Sequence, residues 1–215
     1  MQAFHNDPLI KEKYITRLQA HYKADEIIKG TYWEDGKGCA VGCTIHSNYH
    51  KNYELELGIP KDIAHLQDRI FEGLPNKLAK KFPLQFLSAI KVGADLKNVN
   101  NLFTIWVLTD EKYGVLQYAK DKKIVQDVAD AFAKDMVIPV SEEEWLKLKY
   151  DAHPAAAYYA VATAYYASAS ASDSIIVSYA AAPYYAAAAY SIKNTKSEWY
   201  IAASKKLNEL LKQTN

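Results

Sequence analysis

Apolar residues recur at helical spacing along most of the chain, and the residues between the runs are of the kind that start and stop helices. In the first run Ile10, Tyr14, Leu18, His21, Asp25 and Ile28 share one face, with Asp7 as a cap before Pro8 and Gly30 as the stop. The pattern predicts a helix over 8–29. A loop, "GTYWEDGKG", follows. A second helix is expected from Cys39 or Cys43 to Leu57, stopped by Gly58, and a third in "PKDIAHLQDRIFEG", opened by Pro60 and closed by Gly73. The stripe of the third is Ile63, Leu66, Ile70 and Leu74, which turns His65, Asp68 and Glu72 to the opposite, solvated side.

Further on, "NKLAKKFPLQFLSAIKVG" reads as two short helices broken at Pro83. The region 103–118 is rich in β-branched and aromatic residues and admits a β-hairpin about "DEKYG", though a helix ending near Gly114 fits better. Ser141 with Glu144 and Thr195 with Glu198 form two capping boxes. From Ala155 to Ile192 nearly everything is Ala, Tyr or Ser, with Asp173 the only charge. This predicts helices over 155–170 and 174–191, with "SASDS" as the turn and Pro183 as a kink. The elements describe a mainly α fold: a single-domain bundle of about eight or nine helices over 1–215. It has a Cys/His-bearing layer over 1–92, middle helices over 93–153, and the Ala/Tyr hairpin with a C-terminal helix over 154–215.

Composition narrows the function classes. The 215 residues are 50% hydrophobic and 24% charged with a net charge of +1, which argues for a folded domain and against disorder. The densest basic cluster is Lys77, Lys80 and Lys81, too small a footprint for a nucleic-acid partner. The first residues, "MQAFHNDPLIKEKY", hold no apolar stretch of the kind a signal peptide needs, so a cytoplasmic location is expected. Ala and Tyr are weakly apolar, so the Ala/Tyr helices suit a packed hairpin or a homo-oligomer interface better than a membrane span.

Candidate chemistry crowds into the first third. Both cysteines and two of the six histidines fall within "GKGCAVGCTIHSNYHKNY". On one straight helix Cys39, Cys43, His46, His50, Tyr53 and Leu57 share an arc of about 80°. His21 and Asp25 sit on the apolar face of the first helix, so both helices carry polar groups where hydrocarbon is expected. Buried without partners such groups cost on the order of 1–3 kcal/mol each. Convergence of the two faces would satisfy them.

Three readings of that convergence stay open. In the first, His21, Asp25, His46, His50 and Cys39 supply ligands for Zn, Fe or Mn, in a metal-dependent hydrolase or oxidase acting on an unidentified small molecule, with Glu26 or Glu34 as general base. Cys39 to His50 would span about 16 Å of straight helix, so the cysteines join only if Gly38 and Gly42 let them curl back. In the second, Cys43 near a helix start is a nucleophile or redox thiol, with lowered pKa, His46 or His50 as base and Cys39 as resolving partner. The arrangement is similar in outline to helical thiol peroxidases whose Cys-x-x-Cys opens a helix, but three residues separate the cysteines here. In the third, the cluster is a satisfied core, and the chain is an oligomeric interaction protein docking through its Ala/Tyr surface. His5 and His153, near helix starts, read as capping or surface residues.

The strings "FHNDP", "GKGCAVGCTIHS", "YELELGIP", "DRIFEGLP" and "VGADL", with a tail ending "KKLNELLK", together resemble a family of uncharacterised proteins of bacteria and their mobile elements. The resemblance covers most of the chain and is most distinctive from Gly36 to Pro75. It implies a single-domain protein in which the Cys/His segment is a family feature, and no activity.

Overall fold

The helical spacing becomes a mainly α fold in the computed structural model, which describes residues 1–152, 159–172 and 177–215. His153, Pro154 and Asp173 lie outside the described residues. Among the described residues nine α-helices have eight residues or more. They are α1 (Pro8–Lys23), α4 (Lys61–Gly73), α6 (Phe82–Ala89), α7 (Val99–Thr109), α8 (Lys122–Asp135), α9 (Glu142–Ala152), α10 (Tyr159–Ser172), α11 (Val177–Tyr190) and α12 (Lys196–Gln213). Three shorter ones are α2 (Ala40–Ile45), α3 (Lys51–Leu57) and α5 (Asn76–Ala79), and β1 (Trp33–Glu34) pairs antiparallel with β2 (Lys37–Gly38). Region 103–118 is α7 and a 3-10 turn, not a hairpin. No helix of the described residues is long and apolar enough to cross a membrane.

The chain divides into two compact units, Met1–Val99 with Ala203–Asn215, and Asn100–Ala202. In the first, α1 packs on α2 and α6, and α4 packs on α2, α3 and α6. Tyr14, Leu18, Leu57, Ile63, Ile70 and Phe86 are among its fully buried side chains. In the second unit α10 packs on α8, α9 and α11, and Tyr166 stacks on Tyr185 at 4.9 Å between ring centres. The Ala/Tyr hairpin thus spends part of its aromatic surface on itself. Pro183 lies within α11. The box at Thr195 forms in both directions, Glu198 N–H to Thr195 Oγ1 at 3.2 Å and Thr195 N–H to Glu198 Oε2 at 3.0 Å. At Ser141 only the first half forms, because the Glu144 carboxylate takes Lys134 instead.

Four elements depart from the sequence expectation, each for a local reason. Helix α1 ends at Lys23, well before residue 29. Asp25 adopts φ +59°, Glu26 N–H donates to His21 O at 3.0 Å and Asp25 N–H to Tyr22 O at 3.3 Å, so a left-handed aspartate closes the helix as glycine usually does. The expected helix from Cys39 to Leu57 is broken by His46, left-handed at φ 52°, ψ 43°, into α2 and α3. The two short helices expected around Pro83 do form, as α5 and α6, but they part at 80–81: Pro83 falls within the first turn of α6, where its missing N–H costs nothing. Finally, "EDGK" is a two-residue hairpin turn: Asp35 and Gly36 both have positive φ, as the tight turn of twisted strands requires.

Candidate functional site

Two histidine pairs form in the first unit, and the broken helix decides their membership. Because His46 reverses the backbone between α2 and α3, the 100° rule no longer relates it to His50. His46 meets His21, while His50 meets His65.

His21 sits buried in the last turn of α1, on the face where its sequence spacing put it. The turn through Asp25 brings Glu26 back beneath that helix end. Its backbone is fixed there, since Glu26 O accepts Gly38 N–H at 3.1 Å and Ile28 N–H donates to Gly38 O at 2.8 Å. Glu26 Oε2 then lies 2.6 Å from His21 Nδ1, and His21 Nε2 lies 2.7 Å from His46 Nε2. An ionised carboxylate can only accept, so His21 Nδ1–H donates to Glu26 and the two Nε2 atoms share one proton. Trp33 stacks on His46 at 4.4 Å and meets His21 edge-on at 5.5 Å. His21 is buried between a half-buried Glu26 and an exposed His46, so the run opens to solvent at the His46 end.

Arg17 Nη1–H donates to Thr44 O at 2.7 Å and places a positive charge near this site. Burial lowers the pKa of His46 from its ordinary value; Arg17 and His21 lower it further, against Glu56 and Glu26. The outer ring is therefore a neutral base at neutral pH. Two nitrogens bound to one tetrahedral zinc stand about 3.3 Å apart, given bonds of roughly 2.05 Å. The 2.7 Å separation of His21 and His46 is that of a hydrogen bond.

The second pair is of another kind. His50, just before α3, stacks face to face on His65 of α4 at 4.0 Å, and Tyr32 meets His50 edge-on at 5.3 Å. His50 Nε2 is 3.7 Å from Asp68 Oδ2, close for opposite charges but too long for a hydrogen bond. The Cys39 thiol also faces Asp68, and its pKa is raised by burial and then by that carboxylate. His50 Nε2, His65 Nε2 and Asp68 Oδ1 are all buried and have no hydrogen-bond partner. Burial lowers His65 to about 4, helped by His50 and opposed by Asp68.

The sequence expected His65 and Asp68 on a solvated side. The stripe rule assumes one buried face, whereas α4 is packed by α2, α3 and α6. Their i, i+3 spacing put His65 and Asp68 together on one side of α4, but nothing in the sequence marked that second side as covered. Glu72, from the same side, accepts Gly30 N–H at 3.1 Å.

The other candidate residues are scattered. Asp25, expected to face inward with His21, is exposed and pairs with Lys80, because its left-handed conformation turns it off the helix face. Glu34 is exposed in the hairpin, opposite Lys37. His5 Nε2 sits 3.0 Å from Leu55 O at the surface. Cys43 Sγ donates to Gly38 O at 3.3 Å and lies 3.6 Å from Glu26 O. Burial pushes this thiol up to about 12, opposite in direction to the lowering a nucleophile needs. Cys39 caps α2, its sulfur accepting Gly42 N–H at 3.5 Å, and both cysteines are free thiols.

As they stand, no three His, Cys, Asp or Glu side chains among the described residues are disposed to hold a metal ion. A pocket lined by Ile27, Ile28, Lys29, Phe71, Asn76 and Lys80 opens beside Asp25, and none of the paired histidines lines it. No family model, curated protein or solved structure matches the chain.

Proposed function

We propose that the first unit carries the general acid–base site of a hydrolytic enzyme, with His46 as the exchanging group and His21 and Glu26 behind it. The supporting observation is the continuous hydrogen-bonded run from the Glu26 carboxylate through His21 to His46, at 2.6 and 2.7 Å. In this reading His46 takes a proton from water as the water oxygen attacks an ester, amide or phosphoester centre. The positive charge is shared with His21 and stabilised by Glu26, and the proton is then returned to the leaving group. His21 and Glu26 are positioning residues. They orient His46 and accept its charge without touching substrate. Neutrality of His46 at neutral pH supports the role, since a base already protonated cannot act.

The test has two readouts. Against a panel of chromogenic esters, anilides and phosphoesters, His46→Ala should lower kcat by about 10²-fold or more, a typical worth of one acid–base group. Independently of substrate, NMR should show the His46 ring titrating below its ordinary value, and lower still in Glu26→Gln, where an opposing negative charge is gone. A His46 ring that titrates normally and ignores Glu26→Gln sinks the proposal, as does turnover that survives His46→Ala.

A further inference from the structure

The cavity beside Asp25 is left unused by the acid–base reading. It lies between the chain that follows α1 and the corner where α4 gives way to α5, and its volume is about 340 Å³. Small-molecule sites run from roughly 300 to 1,000 Å³, so this one is of a size for a small ligand. Hydrocarbon comes from Ile27, Ile28, Phe71 and Ala79, and polar groups from Lys29, Asn76 and Lys80. Two cations and an amide thus face an apolar wall, and among the described residues no acidic side chain lines the cavity.

The two walls are fastened to each other and to their neighbours. Ile28 N–H donates to Gly38 O at 2.8 Å, and Gly30 N–H donates to Glu72 Oε1 at 3.1 Å. Lys29 Nζ donates to Leu74 O across the cavity's edge, and Lys80 pairs with Asp25. The cavity is therefore formed before a ligand arrives, and little ordering accompanies binding.

The two ammonium groups differ in their counter-charge. Lys80 has the Asp25 carboxylate, which is itself 71% exposed and held outside the lining. Lys29 is half-buried, and the group it touches is a peptide carbonyl, which carries no net charge. Burial lowers the Lys29 pKa from its ordinary value and outweighs the opposite pull of Glu72. An ammonium short of counter-charge in partly dry surroundings is stabilised by an anion placed beside it.

We infer that this cavity is a binding site for a small organic monocarboxylate. Lys29 holds the carboxylate, assisted by Lys80 and Asn76, and Ile27, Ile28, Phe71 and Ala79 cover the hydrocarbon body. The lining disfavours the other classes of ligand. An inorganic anion would leave the apolar wall against water, and an uncharged hydrocarbon would strip water from two ammonium groups and give nothing in return. The volume suits a body of about ten non-hydrogen atoms, such as an aryl or branched aliphatic acid.

The experiment is a calorimetric titration of the full chain with phenylacetate, run beside its uncharged twin phenylacetamide and inorganic phosphate. Phenylacetate should bind at one site per chain, more weakly as salt rises. Phenylacetamide should bind at least about 10-fold more weakly, the usual worth of a hydrogen bond to a charged group, and phosphate should not saturate. Lys29→Met should weaken phenylacetate at least about 10-fold, and Lys80→Met less, since Lys80 shares its charge with Asp25. His21→Ala and His46→Ala should leave binding unchanged, so failure here and failure of the acid–base site are separable. Should Lys29→Met not fold, Lys29→Gln and Lys80→Met carry the decision. Absence of saturable binding of phenylacetate, hexanoate and 3-methylbutanoate at millimolar concentration overturns the site. Equal affinity for the acid and for its amide or phosphate overturns it too, as does phenylacetate binding that survives loss of the Lys29 charge.

Discussion

The two histidine pairs are built from the same side chains within one unit, yet one is saturated and the other is not. His21 and His46 spend their facing nitrogens on each other and on Glu26, and the run ends at solvent. His50 and His65 lie ring on ring, and neither Nε2 atom has a hydrogen-bond partner. The contrast teaches that residue type alone does not set chemistry. A pair in line with a carboxylate can pass a proton along the line, whereas a stacked pair whose ring nitrogens find no hydrogen-bond partner cannot. Geometry separates the two pairs, and the geometry comes from where the backbone turns.

The largest effect is expected where both pairs depend on one contact. A Cβ on Gly42 would overlap the Tyr32 carbonyl oxygen, so glycine is what lets the Tyr32–Trp33 segment lie against α2. Those two aromatics touch one pair each. Gly42→Ala should cost about 3 kcal/mol or more in urea unfolding, since backbone cannot yield as a flexible side chain can. A variant as stable as the parent would mean that the segment is not seated there.

A smaller effect sharpens the contrast itself. His21→Leu removes the shared partner of a half-buried carboxylate and an exposed imidazole, whose hydrogen bonds water only partly replaces, and should destabilise by about 1 kcal/mol. His65→Phe removes an unpartnered buried nitrogen and should be neutral or stabilising by up to about 1 kcal/mol. Losses of equal size in both variants would erase the distinction between a satisfied and an unsatisfied pair.

The smallest effect is in pH dependence. The folded state holds His65 near 4, below the ordinary value it regains on unfolding. Its contribution is therefore present at pH 7 and lost as pH falls from about 6.5 toward 4, because only the unfolded chain takes up the proton in that window. Allowing for partial exposure, this amounts to on the order of 1 kcal/mol. His65→Phe should flatten the stability curve in that range by this amount. An unchanged slope would place the titration elsewhere.

The sequence by itself determined the helical class, the caps at Asp7 and Thr195, and the inward position of His21, because each follows from spacing and composition within one turn or two. It also brought Cys39, His46 and His50 under suspicion. Their partners were decided only by tertiary structure. Asp25 and His46 entered the left-handed region, where a non-glycine residue reverses the chain; Asp and His enter it more often than most residue types, but that tendency does not say which of them will. Once those reversals are made, Glu26 takes the place that Asp25 held on a straight helix. His65 and Asp68 become inward groups because α4 is packed from more than one side. Periodicity reports one buried face per element; which other faces are covered depends on neighbours distant in sequence, and only the folded chain supplies them.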